Sequence, residues 1–392
     1  MRKTIGVAIA TLLAAGVALA TVPGTDLYVP AVGHGLGVSV NGVQAHWRAD
    51  IWVFNPSPQT ANVKLYLLFR GQANPSPQMR PVTVASGVTL YLPDVVFNTF
   101  GADSTYGGLR ITSDVPVVVT GRSYDANVTM VGEPTGTAGQ FFSGIPAATA
   151  IGNGDSTDIP GLDQDDFQAN GTWRSNLALV ETTGNPVDLL LQRFDGAGNL
   201  IGSMPYHLDG RMVAQVNFVV TAIVNLVGTD QRVNLSVTGG SGAVIAAASR
   251  IDNRTGDPST VEMTGQGRTG SYLCELAKTN YPTPLRLTVA GGAVTALDTT
   301  IVFTDEDVPT CGGELIRFAG PLPQPVFYDS TGAFSFSVSD PNLNGSGIGV
   351  TVQVNAAIST TGSVTGNATV TLSNDGACSG SKTWALTGAR TQ

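Results

Sequence analysis

Short stretches in which apolar and polar residues alternate recur along most of this chain. In residues 62–69, apolar side chains occupy every second position from Val63 to Phe69. Successive side chains of a strand point to opposite faces, so this pattern predicts a strand with one apolar face and one mixed face. Comparable runs, among them residues 89–92 and 187–194, are separated by turns rich in Gly, Pro, Asn or Ser. That rhythm predicts β-sandwiches.

One strand-opening motif occurs twice. Trp47-Arg48-Ala49-Asp50 and Trp173-Arg174-Ser175-Asn176 each lead into an apolar run. About 75 residues later, Arg122-Ser123-Tyr124-Asp125 is matched by Arg250-Ile251-Asp252. A pattern that returns at a fixed offset, here about 126 residues, indicates one domain used twice.

These patterns divide the chain into five parts. The predicted parts are a signal peptide at 1–20, a first β-sandwich at 25–140, a second at 141–263, a linker at 264–270 and a C-terminal β-domain at 271–392. The last part does not match the repeat, but its alternation at Val350, Val352 and Val354 is typical of a buried strand rather than of low-complexity disorder. We therefore predict an all-β protein with two tandem duplicated β-sandwich domains and a third β-domain.

The first twenty residues have the three parts of a secretory signal peptide. Arg2 and Lys3 provide the positive charge, an apolar run follows, and Ala18-Leu19-Ala20 supplies a small-residue cleavage site. The apolar run is shorter than the roughly 20 residues that span a bilayer, and no later segment is apolar enough. We expect cleavage after Ala20, secretion to the extracellular space and no membrane span in the mature chain.

Composition narrows the range of partners. Charged residues make up 12% of the chain, which contains 48 Gly and 22 Pro, as expected for many short strands joined by tight turns. The 29 acidic residues outnumber the 20 basic ones and give a net charge of −9. Such a surface repels phosphate backbones, so we expect no nucleic-acid partner.

Candidate catalytic groups are few. The three histidines are His34, His46 and His207, and the sequence has no Gly-x-Ser-x-Gly motif. Aspartates lie mostly in predicted loops and glutamate is scarce, so the sequence does not indicate a carboxylate pair for glycoside hydrolysis. We expect a non-enzymatic protein without catalytic residues.

The densest acidic segment contains five aspartates: Asp155, Asp158, Asp163, Asp165 and Asp166. Clustered oxygen ligands of this kind suit calcium, which can order a long loop of an extracellular β-domain. The spacing departs from the helix–loop–helix calcium pattern. Two interpretations stay open. The segment is either a solvated acidic loop or a structural calcium site, in which case calcium would be the protein's cofactor.

The repeated motif supplies the candidate ligand-binding residues: Trp47, Arg48, Asp50, Arg122, Asp125, Trp173, Arg174, Arg250 and Asp252. In a structural interpretation, Arg48 pairs with Asp125 and holds the ends of the sheets together while Trp covers the core edge. The same logic pairs Arg174 with Asp252. In a functional interpretation, Trp47, Trp52 and Trp173 form an aromatic platform for sugar rings. Because Trp52 and Phe54 share one face of their strand, the pattern favours a core position for both and the structural interpretation.

The first repeat contains four short motifs: Val29-Pro30, Asn55-Pro56, the string from Thr112 to Val119, and Arg122-Ser123-Tyr124-Asp125. In these motifs it resembles the domain of the sensory rhodopsin transducer type. The resemblance covers residues 28–126 and, more faintly, 145–253. The resemblance implies a small β-sandwich of a kind likened to carbohydrate-binding folds.

The third part contains Gly270-Ser271-Tyr272, Cys311, Gly332-Ala333-Phe334-Ser335, Cys378 and Trp384. In these residues it is similar to a C-terminal module found at the ends of secreted bacterial proteins of unknown function. The resemblance implies a disulfide bond between Cys311 and Cys378, which would close a loop of about 66 residues and stabilise the fold by roughly 4 kcal/mol. Cys274 then stays unpaired.

Together these observations predict a secreted, non-enzymatic β-protein that presents a binding or adhesion surface. Its partner would be an extracellular glycan, matrix component or protein. The alternative is a structural subunit of an extracellular assembly, in which strand edges pair between protomers.

Overall fold

The computed structural model describes residues 23–40, 43–128, 136–167, 171–263, 268, 270–278, 283–290, 293–302, 315–328, 332–341, 349–359, 362–373 and 379–391. Strands make up 71% of the structure and helices 4%, which confirms the predicted all-β class. The predicted signal peptide and the predicted disulfide partners Cys311 and Cys378 lie outside the described residues. Within the described ranges, no helix has both the length and the apolar character needed to cross a membrane.

The first unit is an antiparallel β-structure built from eight strands: β1 (Gly24–Val40), β2 (Val43–Phe54), β3 (Ala61–Phe69), β4 (Gln78–Val84), β5 (Thr89–Leu92), β6 (Thr105–Val128), β7 (Gly136–Ser143) and β8 (Ile145–Pro146). A π-helical turn at Val95–Thr99 and a 3₁₀ turn at Ala147–Thr149 complete it. The strand order is β4-β3-β6-β1-β2-β5, with β7 on β6 and β8 on β1.

Strand β6 connects the two layers of this first unit. Its first half pairs with β1 and β3, and its second half pairs with β2 and β7. The sheet therefore folds over on itself, and residues such as Ile51 of β2 and Leu65 of β3 meet in one core. The alternation that predicted strands at 62–69 and 89–92 is confirmed by β3 and β5.

The second unit is a β-sandwich of two four-stranded antiparallel sheets. Its strands are β9 (Ser156–Gln164), β10 (Trp173–Glu181), β11 (Val187–Phe194), β12 (Leu200–Leu208), β13 (Val213–Val216), β14 (Gly228–Gly240), β15 (Val244–Asp252) and β16 (Pro258–Glu262). The sheet orders are β13-β10-β15-β16 and β12-β11-β14-β9. Leu177 of the first sheet and Leu189 of the second share the core between them. The strand predicted at 187–194 is confirmed by β11.

Arg193 of β11 supports the connection between β13 and β14, which contains the short helix α1 (Val219–Ile223). The side chain is 1% exposed. Its guanidinium donates to the carbonyl oxygens of Val220 at 3.0 Å, Leu226 at 2.5 Å and Val227 at 3.2 Å, and to Gln231 Oε1 at 2.8 Å. The buried guanidinium thus supplies hydrogen-bond donors to carbonyl oxygens of the helix and of the segment that follows it.

The third unit is one eight-stranded antiparallel sheet that curves around a single apolar core. Its strands are β17 (Gly270–Leu276), β18 (Pro284–Ala290), β19 (Ala293–Val302), β20 (Leu315–Phe327), β21 (Ala333–Asp340), β22 (Gly349–Ile358), β23 (Ser363–Ser373) and β24 (Gly380–Arg390). The sheet order is β20-β19-β18-β17-β24-β23-β22-β21. Buried and exposed residues alternate along β22, where Val350, Val352 and Val354 face the core as the sequence predicts.

The first and second units are packed together through a small apolar cluster of their own. Tyr28 and Leu68 of the first unit and Val180 and Ile245 of the second belong to this cluster. The Tyr28 hydroxyl donates to the carbonyl oxygen of Thr182 at 2.8 Å. The two units therefore share a buried contact.

Arg268, which lies in the predicted linker, connects the second and third units. Its side chain is 3% exposed. Its Nη1 donates to Asp155 Oδ1 of the second unit at 3.0 Å, and its Nε donates to the carbonyl oxygen of Ile358 of the third at 2.6 Å. The Tyr328 hydroxyl donates to Asp155 Oδ2 at 2.5 Å. A buried ion pair therefore lies at this junction.

Candidate functional site

Strand β2 presents aromatic side chains to solvent, not to the core. Ile51 and Val53 are completely buried, whereas Trp52 is half-buried and Phe54 is 37% exposed. The expectation that Trp52 and Phe54 lie in the core is therefore wrong. Both faces of this strand are apolar, so alternation alone does not tell which face the core will cover.

Three aromatic rings form a row on the outer side of the first unit. Tyr91 of β5 lies opposite Trp52 in the ladder, and their ring centroids are 5.1 Å apart with planes inclined by 19°. Phe141 of β7 continues the row at 6.0 Å from Trp52. Tyr91 is 48% exposed and Phe141 60% exposed. We call Trp52, Tyr91 and Phe141 the aromatic face.

Asp50 is a buried carboxylate next to the aromatic face. Its carboxylate accepts hydrogen bonds from the Tyr91 hydroxyl at 2.9 Å, the Tyr124 hydroxyl at 3.3 Å and the backbone N–H of Asp94 at 2.8 Å. Burial and the nearby Asp50 charge raise the pKa of Tyr124 to about 12. Burial and the hydrogen bond to Asp50 also raise the pKa of Tyr91. Both tyrosine hydroxyls thus stay protonated and donate hydrogen bonds to Asp50.

A second buried carboxylate lies next to Asp50. Asp94 is 6% exposed and adopts a left-handed backbone conformation with φ of 43°. It accepts a hydrogen bond from Arg48 and one from His34 Nδ1 at 2.9 Å. The His34 ring stacks on Phe97 at 4.7 Å. Sequence reasoning missed Asp94 and His34 because their contacts join residues that lie about 50 residues or more apart in the chain.

The sequence predicts that Arg48 pairs with Asp125, but in the structure Arg48 contacts Asp94 instead. In the ladder between β2 and β6, Trp47 lies opposite Asp125 and Arg48 lies opposite Tyr124. Neighbouring residues of a strand point to opposite faces, so Arg48 and Asp125 lie on different faces of the sheet. Asp125 accepts a hydrogen bond from the backbone N–H of His46 at 2.7 Å instead.

The second unit repeats this arrangement. Trp173 lies opposite Asp252 and Arg174 lies opposite Ile251, so the expected pair of Arg174 and Asp252 is also split between two faces. Arg174 donates to the Asn253 side chain. Asp252 accepts a hydrogen bond from the backbone N–H of Arg254 at 2.8 Å.

The tryptophan of the second unit is covered by an arginine. The Arg250 guanidinium lies 4.1 Å from the centroid of the Trp173 ring and forms an ion pair with Asp163 at 2.5 Å. In the first unit, Arg122 lies over the Tyr124 ring at 4.6 Å and donates to Thr137 Oγ1 at 2.9 Å. The predicted platform of Trp47, Trp52 and Trp173 is thus distributed over separate places, and the structure adds Tyr91 and Phe141 to Trp52.

The aspartates of the acidic segment have separate partners. Asp155 pairs with Arg268, Asp158 with Arg232, and Asp163 with Arg250. Burial alone would raise the pKa of Asp165, but the backbone N–H groups of Trp173 and Thr172, which donate to its carboxylate at 2.9 Å, together lower that pKa below its ordinary value. Asp166 lies beside it at the end of the described segment. Among the described residues, no group of three or more His, Cys, Asp or Glu side chains is placed to hold a metal ion.

The structure does bring three of the predicted ligand-binding residues together. Trp47, Arg48 and Arg174 all line one cleft between the first and second units. The aromatic face and this cleft are the two candidate binding sites. Comparison with known proteins found no matching family model, no matching curated protein and no matching solved structure.

Proposed function

We propose that this protein is a secreted, non-enzymatic glycan-binding protein that holds a saccharide on the aromatic face. The observation that carries the proposal is the row of Trp52, Tyr91 and Phe141, which lies on the solvent side of the sheet. Exposed clusters of large apolar side chains on soluble proteins are typical of binding sites. A pyranose ring has apolar C–H groups on its faces and hydroxyls at its rim, so it fits a flat aromatic row with polar groups beside it.

Polar groups next to the aromatic face suit the rim of a sugar. Arg122 lies opposite Asp50 in the ladder and Thr120 lies opposite Trp52. The Arg122 guanidinium and the Thr120 hydroxyl are hydrogen-bond donors that can reach sugar oxygens, whereas the Asp50 carboxylate is 6% exposed and already accepts hydrogen bonds within the protein. The tyrosine contacts of Asp50 are made within the sheet, so the site needs little rearrangement to bind its ligand.

The test is a glycan array with the mature protein and with Trp52→Ala. Truncation of a central aromatic contact typically costs ~2 kcal/mol, about a thirtyfold loss of affinity. We expect that loss for Trp52→Ala on every glycan bound by the wild type. Phe327→Ala is the matched control, because Phe327 is 42% exposed but lies in the third unit, and its binding should equal that of the wild type.

Two results together would contradict the proposal: the wild type binds no glycan, and it forms oligomers in a concentration-dependent way. They would favour the alternative function, a structural subunit of an extracellular assembly. Sedimentation of the same samples gives that second measurement.

The duplication and the disulfide bond also remain part of the proposal. Duplication is supported by the shared register in which Trp47 faces Asp125 and Trp173 faces Asp252. The pairing of Cys311 with Cys378 is supported by the place of Cys274, which is completely buried and unpaired in the third core.

A further inference from the structure

The cleft between the first and second units has the size of a small-molecule site. Its volume is about 440 Å³, and its lining includes residues of β1, β2, β6 and β7 on one side and of β10, β13, β15 and β16 on the other. Ligand pockets in proteins typically measure ~300–1,000 Å³ and often lie where two domains meet. We call it the interdomain cleft.

The interdomain cleft is positively charged in an acidic protein. Its lining includes Arg48, Arg70 and Arg174, and among the described residues that line it there is no aspartate or glutamate. The whole chain, in contrast, has 29 acidic and 20 basic residues. The lining therefore favours an anion where the rest of the surface repels one.

Two of these arginines have neutral partners. Arg70 Nη1 donates to Gln215 Oε1 at 2.7 Å, and Arg174 Nη1 donates to Asn253 Oδ1. Within the described part of the chain, neither forms an ion pair, whereas Arg48 pairs with Asp94. Burial lowers the pKa of Arg174, because its charge is held away from water without a carboxylate. A guanidinium has five N–H donors, so donors remain for a ligand.

The uncharged lining is suited to a hydroxylated ring. Trp47 and Tyr106 supply aromatic surface, and Asn176 and Asn217 supply amides. The Gln140 side chain is 9% exposed, and its Oε1 has no hydrogen-bond partner among the described residues. A buried carbonyl oxygen without a donor is costly, and a ligand hydroxyl would satisfy it.

We propose that the interdomain cleft binds a carboxylated sugar, of the class of the uronic acids. The guanidinium groups of Arg70 and Arg174 receive the carboxylate, since Arg and carboxylate geometries match in bidentate pairs. Gln140 Oε1 accepts a hydrogen bond from a ring hydroxyl, and the amides contact the others. This site is distinct from the aromatic face and does not depend on it.

The test is calorimetric titration of the mature protein with D-glucuronate, with D-glucose and with inorganic phosphate as separate probes. We expect the wild type to bind glucuronate with an affinity that falls as salt is added, and to bind neither glucose nor phosphate with comparable affinity. Arg174→Gln and Arg70→Gln should each weaken glucuronate binding at least tenfold. Arg317→Gln is the control, because it removes the same charge from an exposed position of the third unit.

Three outcomes would overturn the proposal. The first is that the wild type does not bind glucuronate. The second is that both cleft variants bind glucuronate as tightly as the wild type does. The third is that the wild type binds phosphate as tightly as glucuronate. Thermal melting shows whether Arg174→Gln folds. If it does not fold, Arg70→Gln still tests the proposal, because Arg70 is exposed and its replacement should not disturb folding. If the glycan array finds no ligand for the aromatic face but Arg174→Gln and Arg70→Gln still weaken glucuronate binding, the proposed glycan site fails while the proposal for the interdomain cleft stands.

Discussion

Cys274 shows how packing decides the chemistry of a single residue. It lies in β17 opposite Gly388 of β24, and a Cβ atom at position 388 would come within 2.5 Å of its sulfur. Only glycine therefore leaves room for this thiol. Burial raises the pKa of Cys274 to about 12, so the thiol stays protonated at pH 8 and the reactive thiolate is scarce.

We predict that Cys274 stays unmodified when the native protein is treated with iodoacetamide at pH 8, and that it reacts after unfolding in guanidinium chloride. Mass spectrometry of a non-reducing digest measures both this labelling and the disulfide bonds. It should show one linked peptide pair, Cys311 with Cys378. Labelling of Cys274 in the native state, or a peptide that links Cys274 to Cys311, would contradict the prediction.

At the scale of elements, ladder register decides which side chains meet. Asp188 of β11 lies directly opposite His207 of β12, and His207 Nδ1 is 2.7 Å from Asp188 Oδ1. The hydrogen bond to Asp188, followed by the charges of Asp188 and Asp209, raises the pKa of His207 above its ordinary value. The protonated histidine therefore stabilises the folded state. This contribution is complete below the ordinary pKa and is lost as the pH rises through the raised pKa.

We predict that His207→Gln lowers the melting temperature slightly at pH 5.5 and leaves it unchanged at pH 9. The side chains of His207 and Asp188 are both more than half exposed. The loss of folding free energy at low pH should therefore be ~0.5 kcal/mol or less. The control is His46→Gln, which removes an exposed imidazole outside this pair. Differential scanning calorimetry across this pH range measures the effect, and a difference that grows with rising pH would refute the argument.

At the scale of the whole molecule, a buried ion pair joins the second and third units. Asp155 is 1% exposed and meets Arg268 and Tyr328, and burial raises its pKa in spite of these partners. Removal of one partner leaves the other charge buried and uncompensated. We predict that Arg268→Met lowers the free energy of unfolding by ~3–5 kcal/mol in urea denaturation.

The control for this junction is Arg232→Met, which removes the partner of Asp158 in a pair that is about one third exposed. Exposed pairs contribute ~1 kcal/mol or less, so its effect should be much smaller. Equal urea midpoints for Arg268→Met and the wild type would show that the junction contributes little to stability.

The sequence by itself determined the strands and the all-β class. Period-two alternation is a local property, so β5 and β11 could be predicted from the residues within them. Only the tertiary structure decided which face of β2 meets solvent, because Ile51 and Trp52 are both apolar and the core covers one of them. It also decided that Arg48 contacts Asp94, a partner 46 residues away. Faces and partners depend on contacts between distant segments, and local alternation carries no information about those contacts.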